Sequence, residues 1–259
     1  MDTTLAINVG NSNTAVGVIR GSAWVGRFRV STVADRMPDD YVLLFDGLLG
    51  RLGLSLRGLT QSVVASVVPQ TTENIASAMA SAGGPRPLIV GPTLPTGLAI
   101  RIDNPAEIGA DLLANAVAAY ERFGSSCIVV DFGTALSLTA VAEPGELRGV
   151  SIAPGLHYAV RALAQNTAQL PTVPLTVPPA AIGRNTVHSI QSGVVFGYVG
   201  MVEHLVARMG QELPGTVQAI ATGGQAGVIA PLTRCFTVVD PWLALEGIRL
   251  IAERNRPRA

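Results

Sequence analysis

The sequence has no lysine, and its 18 basic residues are balanced by 18 acidic ones. The arginines that supply the positive charge form no run along the chain. Proteins that bind nucleic acid or anionic lipid through electrostatic attraction carry clustered basic residues. The sequence therefore indicates neither a nucleic-acid-binding track nor a polybasic membrane patch, and it favours small molecules or other subunits as partners.

Cysteine and long apolar runs are also scarce. The two cysteines, Cys127 and Cys235, each lie inside an apolar stretch, where core packing is the expected role. No stretch reaches the length of about 18 uninterrupted apolar residues that a membrane span needs. The chain opens with Met1-Asp2 and lacks the basic segment that begins a signal peptide. These features predict a cytoplasmic protein without disulfides and without a membrane-spanning segment.

The chain does contain a short apolar-polar-apolar pattern that occurs twice. Residues 5–18 predict two strands joined by a turn at Gly10-Asn11-Ser12-Asn13, and residues 127–141 predict the same around Asp131-Phe132-Gly133-Thr134. Small polar side chains and backbone N–H groups at a turn can bind phosphate, and Gly10 is expected to adopt a positive φ there. The first turn is neither a Walker loop nor a Rossmann turn, because no Gly-Lys-Ser/Thr and no G-x-G-x-x-G follows the first strand.

The repeat divides the sequence into two halves. The 259 residues, 48% of them hydrophobic, suffice for two domains of about 120 residues each. We predict an α/β fold with duplicated domains at 1–122 and 123–259, with a nucleotide held between the two hairpins. Asp103-Asn104-Pro105 predicts the start of a helix that runs to Tyr120, and residues 186–209 predict a long apolar helix buried on two sides.

Seven short motifs occur in a set order along nearly the whole chain. The motifs are Gly10-Asn11-Ser12, Gly109-Ala110-Asp111, Asp131-Phe132-Gly133-Thr134, Ala153-Pro154-Gly155-Leu156, Ile182-Gly183-Arg184-Asn185-Thr186, Ala221-Thr222-Gly223-Gly224 and Leu245-Glu246-Gly247. In this combination the sequence resembles the type III pantothenate kinases.

The resemblance implies an actin-like fold of the acetate and sugar kinase class. In that fold two ribonuclease-H-like domains each contain a mixed five-stranded sheet flanked by helices. The resemblance also implies a homodimer that transfers the γ-phosphate of ATP to the primary hydroxyl of pantothenate, the first step of coenzyme A biosynthesis. Magnesium and a monovalent cation, potassium or ammonium, are the implied cofactors.

The resemblance assigns roles to individual positions. Asp111 corresponds to the catalytic base and Asp131 to a ligand of the monovalent cation. From the residues alone, Asp111 could instead be an acid that favours a helix dipole, and Thr186 could be a helix N-cap. The implied ATP-binding residues are Asn8, Gly10, Asn11, Ser12, Asn13, Gly133, Thr134, Gly223 and Gly224. The implied substrate-binding residues are Ile102, Gly109, Ala110, Asp111, Leu112 and Thr186.

Three positions depart from the family pattern. Asn8 stands where the family carries an aspartate that works through magnesium, and a neutral amide is expected to weaken that metal site. Leu112 stands where the family has an arginine suited to a substrate carboxylate. Ile102 lies near the position of a family tyrosine that lines the pantothenate site. Two alternatives therefore remain: a kinase with a different small hydroxyl acceptor, and a nucleotide-binding regulatory homologue with weak catalysis.

Overall fold

The computed structural model describes residues 2–256, and their contacts divide the chain into two units. The first unit comprises the chain up to Ala118 together with the chain from Leu243 onward, and the second comprises Ala119–Trp242. The prediction of domains at 1–122 and 123–259 differs from these units mainly at the C-terminus. The last helix belongs with the first unit because its apolar side chains pack on the first sheet.

The first unit is a sheet whose later strands alternate with helices along the chain. Its elements are β1 (Thr3–Val9), β2 (Asn13–Arg20), β3 (Ala23–Ser31), α1 (Pro38–Gly50), β4 (Gln61–Ser66), α2 (Pro69–Ser81), β5 (Leu88–Ile89), β6 (Ala99–Ile100) and α3 (Ala110–Phe123), which crosses the division between the units. The five-stranded sheet has the order β3-β2-β1-β4-β5. Neighbours β1, β2 and β3 are antiparallel, whereas β4 and β5 run parallel to β1.

The second unit repeats this pattern. Its elements are β7 (Cys127–Phe132), β8 (Ala135–Ala142), β9 (Glu146–Pro154), α4 (Leu156–Gln165), α5 (Thr186–Gly210), β10 (Gln218–Thr222), α6 (Ala226–Ile229) and β11 (Val238–Val239). Helix α7 (Leu243–Arg254) then returns to the first unit. In the second unit the strands lie in the order β11-β10-β7-β8-β9, with an antiparallel meander of β7, β8 and β9 continued by parallel strands.

The two meanders match in detail. Each second strand has a register shift after its sixth residue, between Val18 and Ile19 in β2 and between Ala140 and Val141 in β8. Such an irregularity bends and twists a strand locally, so both meanders curve at the same place. The structure thereby confirms the two predicted hairpins and the duplication that they indicated.

Each sheet is covered by a core of apolar side chains. In the first unit, the apolar residues of β1 and β2 pack against Tyr41, Phe45 and Leu49 of α1, which recur at helical spacing on one face. In the second unit, Phe132 and its β7 neighbours pack against α4 and α5. Cys127 lies fully buried in β7, so its predicted role in core packing is confirmed.

Helix α5 is, among residues 2–256, the one helix long and apolar enough to cross a membrane by length and composition. One such helix is weak support for a membrane span, because core helices pass the same test. The buried residues form a single stripe that includes Ile190, Val194 and Val202. The predicted burial on two sides is wrong within this structure, where Phe196 and Val199 remain half-buried.

One predicted helix start and one predicted helix cap are wrong, whereas α5 begins at Thr186 as predicted. The segment at Asp103 does not begin the helix. Pro105–Glu107 forms a 3-10 turn in which the Asn104 side chain accepts a hydrogen bond from the Ala106 N–H, and α3 begins at Ala110. Thr186 is not the N-cap of α5, since Asn185 accepts the His188 N–H at 2.8 Å. An asparagine at this position satisfies a helix N–H group as well as a threonine would.

Candidate functional site

The turn of the first hairpin, residues 10–13, is held by hydrogen bonds to its carbonyl groups. The Gly10 N–H donates to the Asn13 carbonyl at 3.0 Å, and the Gly10 and Ser12 carbonyls accept from the Thr32 hydroxyl and N–H at 2.8 and 3.0 Å. Gly10 does not adopt the predicted positive φ. Glycine fits here because a Cβ would lie 3.2 Å from the Asn13 carbonyl oxygen, which is a tight contact.

Thr32 is a support of this turn that the sequence did not reveal. Its hydroxyl also lies 2.9 Å from the Thr14 hydroxyl, so it connects β2 to the end of β3. Threonine at a strand end is common, and 22 residues separate Thr32 from Gly10. No local signal in the sequence therefore joins the two. With three turn carbonyls engaged inside the protein, Asn11, Ser12 and Asn13 are left exposed at the tip.

Asn8 lies on β1 just before this turn, paired with Ala15 on one side and Ala65 on the other. Its Oδ1 is buried, and within residues 2–256 no group donates a hydrogen bond to it. Buried polar atoms without partners are rare in native structures, and a bound water or ion is among the partners that explain them. An amide oxygen can coordinate magnesium, or it can accept a hydrogen bond from a water bound to magnesium.

Asp111 lies in the first turn of α3 and is the acid that the sequence singled out. Burial raises the pKa of its carboxyl group, while hydrogen bonds from backbone N–H groups oppose that rise. The Leu112 N–H donates to Oδ1 at 2.8 Å and orients the carboxylate. A Cβ on Gly109 would lie 2.7 Å from the same oxygen, so only glycine leaves the carboxylate in this position.

The other predicted substrate residues of the first unit lie near Asp111 in the chain. Ala110 is buried at the start of α3, and Leu112 is half-buried immediately after Asp111. Ile102 is half-buried between β6 and the 3-10 turn. A Cβ on Gly109 would lie 3.6 Å from Val67, which places the Gly109-Ala110-Asp111 motif beside the end of β4.

The second hairpin turn is also closely packed. The Gly133 N–H donates to the Ala135 carbonyl at 3.1 Å. Gly223, with φ at +90°, lies against this turn, because a Cβ there would overlap the Asp131 carboxylate and lie 2.6 Å from the Phe132 carbonyl carbon. The structure thus brings together three of the predicted residues of this unit, Asp131, Gly133 and Gly223.

Gly155, at the N-terminus of α4, also packs against the second turn. A Cβ on Gly155 would overlap the Thr134 carbonyl oxygen and lie 2.6 Å from that of Gly133. Gly224, which follows Gly223, has open space around it. A side chain at this position would therefore not collide with the second turn. Sequence reasoning missed the hydrogen bond of 2.8 Å between the Gln225 and His157 side chains, which joins the start of α6 to α4.

Thr186 lies elsewhere in the second unit, at the first residue of α5. It borders a groove of about 430 Å³ between α4 and α5, together with Leu163, Leu170 and Ile190. A Cβ on Gly183 would overlap the Ser189 backbone, so the Ile182-Gly183-Arg184 segment packs tightly on the first turn of α5. This groove is mostly apolar and carries few polar groups.

Metal-ligating side chains are not clustered in the described part of the chain. Among residues 2–256, no group of three or more histidine, cysteine, aspartate or glutamate side chains could hold a metal ion. Magnesium in phosphoryl-transfer enzymes is usually bound through one or two carboxylates, since substrate phosphates and waters complete its shell. Asn8 offers one uncharged oxygen and Asp131 one carboxylate, and both are oxygen donors that such cations can bind.

The fold places the protein in a known structural class. The ethanolamine utilization protein EutJ from Carboxydothermus hydrogenoformans shares 15% identity at a TM-score of 0.57, over 97% of this chain and 90% of that one. A protein described as a 2-dehydro-3-deoxygalactonokinase from Sinorhizobium meliloti shares 13% identity at a TM-score of 0.59, over 100% of this chain and 98% of that one. The paired units are those of the actin-like fold of the acetate and sugar kinase class, which confirms the predicted duplicated ribonuclease-H-like fold.

Sequence comparison narrows this class to one family. The family model described as type III pantothenate kinase matches residues 4–208. A type III pantothenate kinase from Moorella thermoacetica is 43% identical over 97% of this chain and 99% of its own length. A type III pantothenate kinase from Myxococcus xanthus is 45% identical over 97% of this chain and 98% of its own length. The chain belongs to the type III pantothenate kinase family, and it is a phosphotransferase with an alcohol acceptor.

Proposed function

We propose that this protein phosphorylates the primary hydroxyl of pantothenate with ATP, the first step of coenzyme A biosynthesis. The observation that carries the proposal is the Asp111 carboxylate, which is half-buried in the first turn of α3 and oriented by the Leu112 N–H. Membership of the type III pantothenate kinase family indicates that the substrate beside this carboxylate is pantothenate.

Asp111 acts as the general base in this proposal. A carboxylate whose pKa is raised by burial binds a proton more readily than an exposed one. It therefore suits a group that accepts the hydroxyl proton while the phosphoryl group is transferred. Gly109 keeps this carboxylate unobstructed. Ala110, Leu112 and Ile102 in the first unit, and Thr186 in the second, are the residues that we expect to bind the acceptor.

The two hairpin turns bind the phosphates of ATP. Because Thr32 and the Gly10 N–H engage the carbonyls of the first turn, the negative ends of these dipoles are held away from an incoming phosphate. The exposed tip, Asn11 to Asn13, then offers N–H groups and small polar side chains. Gly133 and Thr134 play the matching role in the second unit, and Gly223 and Gly224 accommodate the nucleoside.

Two cations complete the phosphate-binding arrangement. Magnesium and a monovalent cation, potassium or ammonium, neutralise phosphate charge when they are bound. The unpartnered Oδ1 of Asn8 supports a magnesium-side role for this residue. The Asp131 carboxylate, beside the close approach of Gly223, supports a role as ligand of the monovalent cation.

The protein is expected to work in the cytoplasm as a homodimer, on small molecules and without nucleic acid or membrane as partners. The balanced charge and the absence of arginine runs support this expectation. Exposed apolar side chains of the second unit, among them Ile152 and Ile182, support a contact with a second copy.

Two departures from the family keep alternative functions open. Leu112 is half-buried beside Asp111 and cannot bind a carboxylate, which favours a different hydroxyl acceptor. Asn8 provides no negative charge to magnesium, which favours a weakly catalytic, nucleotide-binding regulatory protein.

The test is ADP release by the purified protein with ATP, magnesium and potassium, with and without pantothenate. We expect pantothenate-dependent turnover that Asp111→Asn lowers by at least about a hundredfold, since general-base catalysis contributes roughly that much. Release that depends on another hydroxyl compound, but not on pantothenate, would establish the alternative acceptor. ATP binding without turnover on any acceptor would establish the regulatory alternative.

A further inference from the structure

Helix α7 touches the helix that carries Asp111 at one backbone contact. A Cβ on Gly247 would overlap the carbonyl group of Ala114, and it would lie 3.0 Å from the Ala114 Cα. Both residues are buried, and both belong to the first unit. The atoms opposite Gly247 are backbone atoms, so no side-chain rotation could make room for a methyl group there.

Hydrogen bonds fasten α7 on either side of Gly247. Near its start, the Trp24 indole N–H donates to Glu246 at 3.1 Å. Near its end, Arg254 donates to the Thr96 carbonyl at 2.6 Å, and Gln61 donates to the Ala252 carbonyl at 3.2 Å. The buried side chains of α7 pack on β1, β2 and β4 between these anchors. The helix is therefore a fixed support for whatever lies against Gly247.

The structure assigns Gly247 and α7 a positioning role for Asp111. Ala114 and Asp111 share the first turns of α3, and a helix transmits a displacement of one turn to the next because its backbone hydrogen bonds join them. The segment before α3 is a short 3-10 turn followed by Ile108 and Gly109, which can yield more easily than the anchored α7. A side chain at position 247 is thus expected to displace α3, and Asp111 with it. This inference rests on the proposed function.

The first test compares Gly247→Ala with Gly47→Ala. Gly47 lies in α1 of the same unit, and a Cβ there would meet no atom within 4 Å, so this variant adds the same methyl group without a collision. We expect Gly247→Ala to lower kcat by about 10- to 100-fold while the KM for ATP changes little, because a misplacement of about 1 Å can cost that much. Gly47→Ala should keep the parent kcat and KM.

A double-mutant comparison separates positioning from general damage. If Gly247 acts through Asp111, Gly247→Ala should lower kcat in the parent but leave the residual rate of Asp111→Asn unchanged. An equal loss in both backgrounds would overturn the inference, as would a lower melting temperature with a parent kcat per folded molecule.

Amide hydrogen exchange tests the same inference without turnover. In Gly247→Ala, peptides covering residues 109–115 should exchange at least about tenfold faster than in the parent and in Gly47→Ala, because their first-turn hydrogen bonds open more often. Unchanged exchange in this segment would overturn the inference even in an active enzyme. An inactive parent would contradict the proposed function alone, and the exchange result would still decide whether α7 positions α3.

Discussion

At the scale of single residues, Asn8 combines two unusual features. The family resemblance of the sequence predicts an aspartate at its position in the first hairpin, and its Oδ1 is buried without a hydrogen-bond donor within the described residues 2–256. A buried polar atom left unsatisfied costs about 1–3 kcal/mol of stability. Stability alone therefore does not favour this asparagine. A role as the oxygen ligand of a bound cation would explain it.

The substitution Asn8→Asp tests this interpretation directly. A carboxylate should bind magnesium more strongly than an amide, so the magnesium concentration that gives half-maximal rate should fall by about tenfold, since one added charge contact is worth roughly 1.4 kcal/mol or more. The measurement is ADP release across a magnesium titration. Asn166→Asp, at an exposed position after α4, is the matched control and should leave the titration unchanged. A parent-like titration for Asn8→Asp would contradict the magnesium role.

At the scale of elements, the second hairpin depends on two close approaches by neighbouring chain segments. Gly223 brings the end of β10 against Asp131, and Gly155 brings the start of α4 against Gly133 and Thr134. The backbone of Gly155 has φ at −70° and ψ at 157°, a conformation that any residue can adopt. Space, and not backbone conformation, therefore requires glycine at position 155.

Replacing Gly155 should weaken ATP binding through the turn that it supports. In Gly155→Ala the new methyl group collides with the Thr134 carbonyl, so the turn or α4 must shift at a cost of about 1–3 kcal/mol. We expect a KM for ATP raised by roughly tenfold, with a smaller change in the KM for pantothenate. Gly149→Ala, in β9, adds a methyl group to open space and serves as the control. Equal KM values for ATP in both variants would argue against a phosphate-binding role for this turn.

At the scale of the whole molecule, the sequence was most informative where the pattern is local. The two hairpins follow from a pattern of apolar run, polar turn and apolar run that occurs twice, and the structure confirms both. The contacts that hold the turns were not predictable, because Thr32 reaches Gly10 across 22 residues of chain. The placement of α7 in the first unit escaped prediction for the same reason, since its partners Trp24 and Ala114 lie far away in sequence.

The predicted homodimer needs an apolar surface at which two copies of the chain can meet. The exposed side chains of Ile182 and Ile152, 84% and 68% accessible, leave apolar surface on the second unit that water disfavours. Light scattering after size exclusion should give twice the chain mass of 26.8 kDa. Ile182→Asp should shift the species toward the monomer, because a charge in an apolar interface is costly, whereas Ile89→Asp in the first unit should not. A monomeric parent would contradict the dimer, and a dimeric Ile182→Asp would move its interface away from this surface.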